Sequence, residues 1–130
     1  MSGTEPVRRG RRTLPVNILL KGRVCLLVGA GHVARRKCES RFSHGARVIL
    51  VAPRSVPGLD RLAARGEVSL REEPYDDALL DELRPFLVYT ATDDDAVNRR
   101  VAADCAERRI LCSSASSWET GDFISPSILR

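Results

Sequence analysis

Aromatic residues are scarce in this chain of 130 residues, at 5%, and lysine is scarcer, with only Lys21 and Lys37. A nucleic-acid-binding surface gathers basic residues on one face and interleaves stacking aromatics, so the formal charge of +4 does not signal a nucleic-acid partner. Arginine supplies that charge, and Arg8, Arg9, Arg11 and Arg12 stand together near the N-terminus, leaving a nearly neutral body. Long apolar runs are missing too. The longest, Val24–Ala30 and Val48–Pro53, have the length of buried strands and fall far short of the roughly 20 residues of a membrane span. No apolar stretch follows the basic N-terminal residues, so a secretory leader is not expected and the chain reads as cytoplasmic. The four cysteines, Cys25, Cys38, Cys105 and Cys112, show neither a CxxC pair nor any Cys/His ligand spacing. They read as small buried hydrophobes rather than as a metal site or disulfides.

What is present is ordinary for a globular domain: 43% hydrophobic and 29% charged residues, which excludes disordered, collagen-like and coiled-coil classes. The length suits one domain, with residues 1–13 as a flexible basic tail and 14–130 as the folded part. Leu14-Pro15-Val16 reads as an edge segment. Apolar runs at Arg23–Val28 and Arg47–Val51 predict strands covered on both faces, and Val68–Glu72 alternates as a half-exposed strand does. Leu87–Thr90 and Ile110–Cys112 complete five, and Asp122-Phe123-Ile124 reads as a sixth. Helices are predicted over Val33–Ser43, Pro57–Arg65, from Asp76 or Asp77 to Leu83, and Ala96–Arg108, where Val97, Val101, Ala102 and Cys105 share a stripe. Such alternation predicts an α/β fold, a Rossmann-like, doubly wound parallel sheet.

Gly29-Ala30-Gly31-His32-Val33-Ala34 carries the strongest chemical signal. It matches G-x-G-x-x-G/A directly after a buried strand and at the opening of a helix. Gly29 permits the tight turn, Gly31 lets the backbone approach a pyrophosphate, and Ala34 allows close helix packing. The helix N-terminus offers free N–H groups to the phosphates. A carboxylate for the ribose is expected about 20 residues further on, but Val51-Ala52-Pro53-Arg54-Ser55 stands there. Arg54 could meet a 2′-phosphate, which leaves NADP open, or be a solvated surface residue. Thr90-Ala91-Thr92-Asp93 lies at the carboxyl end of the fourth strand, where open sheets bind ligands. There Thr92 can face the ligand while the acidic cluster caps the next helix.

Together, Leu14-Pro15-Val16, the run Gly29–Lys37, Gly45-Ala46-Arg47-Val48 with Val51-Ala52-Pro53, Ala91-Thr92-Asp93-Asp94 with Asn98-Arg99-Arg100-Val101, and Asp122-Phe123-Ile124 before Pro126 resemble the N-terminal domain of the siroheme synthase family. The resemblance covers residues 14 to 130. It implies NAD-dependent oxidation of precorrin-2 to sirohydrochlorin, in some members followed by insertion of ferrous iron. It places cofactor contacts at His32, Val33, Pro53 and Arg54, and explains the missing carboxylate, because the family uses NAD without one there. Two departures stand out. The family's Asn-Val-Val-Asp falls on Ser113-Ser114-Ala115-Ser116, so the catalytic position of its Asp holds Ser116, a poor general base without a partner; Glu119 or Asp122 could supply a carboxylate from the same loop. The family also continues into a dimerisation segment and a helical domain beyond Arg130, so this chain is expected to be part of a longer enzyme that forms a homodimer, or else a short protein lacking part of the tetrapyrrole cleft. A module that senses NAD without chemistry is the competing expectation.

Overall fold

A computed structural model of the chain describes residues 13–29, 45–54, 58, 61, 68–114 and 121–123. Its centre is β1 (Val24–Val28), apolar at all five positions. Because successive side chains of a strand point to opposite faces, Cys25 and Leu27 enter one layer of the core and Leu26 and Val28 the other. A strand buried on both faces needs a neighbour on each side. β2 (Arg47–Ala52) and β4 (Leu87–Thr90) pair with β1 in parallel, Val28 standing opposite both Val51 and Thr90. Outside them lie β3 (Ser69–Glu72) and β5 (Leu111–Ser114), also parallel to their neighbours. The five strands run in the order β3-β2-β1-β4-β5. The order reverses between β1 and β4, and that crevice is where an open α/β sheet places its ligand.

Two described helices cover one face. α1 (Ala78–Leu83) buries Leu79 and Leu80, and α2 (Asp95–Glu107) buries Asn98, Val101, Ala102 and Cys105. These apolar side chains join Leu26, Val28, Val51, Val88 and Cys112 in a single cluster. α2 starts as the acidic run predicts: Asp94 Oδ1 accepts from the N–H groups of Ala96 at 2.9 Å and Val97 at 3.4 Å. For α1 the side-chain bond comes from Asp76, whose Oδ1 accepts from Ala78 N–H at 2.8 Å, while Asp77 makes no such cap. Arg108 then ties the two helices together, its guanidinium reaching Asp81 at 2.9 Å and Asp77 at 3.2 Å.

The expected helices over Val33–Ser43 and Pro57–Arg65 lie mainly outside the described residues. On the face opposite α1 and α2, Ile18, Leu20, Phe86 and Phe123 pack against Leu27, Leu50 and Tyr89. Residues 13–20 have no regular structure, and Leu14 and Val16 are 81% and 65% exposed. The Leu14-Pro15-Val16 segment takes no place in the strand order of the sheet. Nor do Asp122 and Phe123 form part of a strand; Ile124 is outside the described residues. Asp122 brackets Cys112 instead, donating its N–H to Cys112 O at 2.6 Å and accepting Cys112 N–H on its carboxylate at 3.0 Å. A side chain thus takes the place a backbone carbonyl would hold in a ladder. Phe123 follows, its ring edge-on to Tyr89 at 5.3 Å.

Candidate functional site

At the switch point the chain leaves β1 through Gly29, whose φ is +134°. Its N–H donates to Val51 O at 2.9 Å, and next to it Ala91 N–H donates to Val28 O at 2.7 Å, so the ends of β1, β2 and β4 are stitched together at this point. A side chain at residue 29 has nowhere to go. A Cβ would stand 2.5 Å from the carbonyl carbon and oxygen of Ala91 and 2.9 Å from Thr92 N. Both the dihedral and the contact require glycine, and the backbone of the β4–α2 turn lies directly against the start of the Gly-rich loop.

That turn is held from behind by Asn98, a fully buried residue of α2. Asn98 Oδ1 accepts from the Thr92 hydroxyl at 2.6 Å and from Thr92 N–H at 3.4 Å, and Asn98 Nδ2 donates to Thr92 O at 3.0 Å. The same hydroxyl accepts Asp94 N–H at 3.2 Å. Thr92, expected to face a ligand, spends its side chain on fixing the turn, and the Asp94 carboxylate spends its own on the α2 cap. Asn98, quoted above only as part of the family resemblance, was assigned no role by the motif reading. The only signal for it is position: it falls three, four and seven residues before Val101, Ala102 and Cys105, on the stripe that α2 buries.

Pro53 and Arg54 follow the carboxyl end of β2 and are exposed, on the same edge of the sheet as Gly29 and Thr92. Gly31, His32, Val33 and Ser116 lie outside the described residues, as does Glu119. Of the carboxylates suggested by the loop after β5, Asp122 is engaged with the Cys112 N–H, which makes it a structural acceptor. Deeper in the same half of the sheet, the Cys105 thiol beside it, and then burial, push the Cys112 thiol well above the usual cysteine range. It is therefore a neutral packing group and no nucleophile.

The arrangement suits a dinucleotide. A glycine that admits no side chain opens the loop at the strand-order reversal, and the β2 end, Ala52-Pro53-Arg54, presents no carboxylate to the first ribose. Comparison with known proteins agrees. The chain is 40% identical over 116 residues to siroheme synthases of Escherichia coli and Salmonella arizonae, an alignment covering 89% of this chain and 25% of each relative. It thus spans about a quarter of the length of these curated relatives. The solved structure of SirC, precorrin-2 dehydrogenase, superposes with a TM-score of 0.72 at 30% identity, over 88% of this chain and 55% of that one. A glycerate dehydrogenase related protein from Thermoplasma acidophilum, at 19% identity and a TM-score of 0.55 over 89% of this chain and 39% of that one, shares the fold. The family model NAD_binding_7, described as NAD(P)-binding, matches residues 16–127, and the chain belongs to that family.

Proposed function

We propose that this chain is the dinucleotide-binding part of a precorrin-2 dehydrogenase, using NAD to oxidise precorrin-2 to sirohydrochlorin. The observation that carries the reading is the packing of Gly29 on the Ala91–Thr92 backbone at the switch point, a geometry whose use in this fold is to seat a dinucleotide. The similarity to siroheme synthases and to SirC supplies the substrate class, a tetrapyrrole. NAD accepts a hydride on its nicotinamide, and the protein contributes position and a proton acceptor. In this reading Gly29 and Gly31 let the backbone approach the pyrophosphate, His32 and Val33 contact the cofactor just after the glycines, and Pro53 and Arg54 flank the adenosine end. Asn98, through Thr92, holds the turn that supports Gly29. Iron insertion, a homodimer and a cytoplasmic location belong to the same reading. Among the described residues no helix is long and apolar enough to cross a membrane.

Ser116 occupies the position of the family's catalytic Asp. A neutral serine hydroxyl with no partnering base is a weak proton acceptor, so Ser116→Asp is expected to raise the rate of sirohydrochlorin formation by about tenfold or more, within the usual contribution of a positioned base. The test is to incubate the chain with precorrin-2 and NAD and follow the absorbance of sirohydrochlorin and NADH together. Both appear if the chain is the enzyme. If neither appears while NAD binds, the second reading holds: a module that binds NAD without chemistry, which Ser116 in place of Asp favours.

A further inference from the structure

β4 ends on Thr90 and β5 on Ser114, and the parallel ladder sets these two residues opposite each other. Thr90 is fully buried and Ser114 is 4% exposed. Val88 and Cys112, two residues back on each strand, belong to the cluster beneath α2. By the alternation of strand side chains, both hydroxyls lie on that face, at the carboxyl edge of the sheet. Among the described residues, Thr90 Oγ1 and Ser114 Oγ are buried without a hydrogen-bond partner. An unpaired buried polar group is costly to leave unsatisfied, and most buried side-chain polar atoms in native proteins are paired. Valine at 90 and alanine at 114 would occupy nearly the same space without that cost. Here two such atoms fall on register neighbours, on the last residues of the two strands that form the second half of the sheet.

We propose that Thr90 and Ser114 form a hydroxyl pair that donates two hydrogen bonds to one carbonyl-type oxygen of the bound dinucleotide, the carboxamide oxygen of its nicotinamide. The proposal rests on the dinucleotide reading above. In a sheet of this order each half receives one mononucleotide. The glycine turn after β1 and the end of β2 serve the adenosine half and the pyrophosphate, so β4 and β5 serve the nicotinamide half. A carbonyl oxygen carries two lone pairs and each hydroxyl has one proton to give. Neighbouring strands lie about 4.8 Å apart, so one oxygen between the two residues can sit at hydrogen-bond distance, about 2.7 Å, from both hydroxyls. Ligand binding then satisfies atoms that the protein alone leaves unpaired.

Calorimetric titration of Thr90→Val and Ser114→Ala with NAD and with ADP-ribose, which lacks the nicotinamide ring, tests this. Each substitution should weaken NAD binding about tenfold, the effect of one such hydrogen bond, and leave ADP-ribose binding unchanged. The melting temperature without ligand should stay level or rise, since an unpaired hydroxyl has been removed. Unchanged NAD affinity overturns the proposal. So do equal losses for NAD and ADP-ribose, which would make the pair part of the scaffold. Ser114→Ala keeps the test available should Thr90→Val fail to fold. If the parent chain binds neither ligand, the dinucleotide reading itself falls, a result distinct from an unaffected subsite on a chain that binds both.

Discussion

Gly29 shows how much one missing methyl group decides. Its φ of +134° and the 2.5 Å that would separate a Cβ from the Ala91 carbonyl are independent obstacles, and neither can be relieved by rotating a side chain, because the obstructing atoms are backbone. Gly29→Ala is therefore expected to destabilise the fold by about 2–4 kcal/mol, the range of severe single substitutions, and to push the β4–α2 turn away from β1. Urea unfolding measures the first effect, and NAD titration below the transition measures the second as a loss of affinity. An alanine variant with parental stability would mean that the turn has slack the contacts deny. The same locality explains why the role of Asn98 was not legible in the sequence while that of Gly29 was. A glycine in a Gly-rich motif announces its backbone, but a buried asparagine looks like any polar helix residue until its three bonds to Thr92 are seen.

At the scale of elements, the strands were legible because a parallel sheet covered on both faces writes itself as short continuous apolar runs. Val24–Val28, Arg47–Ala52 and Leu87–Thr90 match the expected segments within a residue. β5 runs two residues past Cys112, to Ser114, because hydrogen bonding to β4 continues where apolarity stops; that is why Ser114 was not anticipated as the strand-end neighbour of Thr90. Beyond the sheet, pattern lost its grip where a side chain replaced the backbone, as with Asp122 beside Cys112. The end of α2 carries a testable strain. Arg109 sits at φ +56°, donating its N–H to Ala106 O at 3.2 Å, while Ile110 N–H reaches back to Cys105 O at 2.9 Å. This is the pair of bonds that closes a helix with a left-handed residue, a position that favours glycine. Arg109→Gly should raise stability by about 1 kcal/mol, read as a higher denaturant midpoint with an unchanged slope.

Across the whole molecule, the two core layers on either face of the sheet make three cysteines reporters of global opening. Cys25, Cys105 and Cys112 are fully buried, Cys25 in one layer and the other two beneath α2. Burial pushes the Cys25 thiol up to about 11 from an ordinary 9.0, and only the thiolate is nucleophilic. In a Cys38→Ser background, which leaves these three, iodoacetamide at pH 8 should label none of them while the protein is folded and all three together once it opens. The labelling rate then follows the equilibrium between closed and open forms. The sign of the pH effect follows from the same thiol. Its folded pKa lies above the unfolded one, so the unfolded chain releases its proton first, and the stabilisation present below pH 9 declines as the pH rises towards 11. Denaturant midpoints measured across that interval should fall for the parent and fall less for Cys25→Ala, whose lower overall stability carries no thiol to titrate. Rapid labelling of a single buried cysteine, with the other two still protected, would show instead that the two layers open separately.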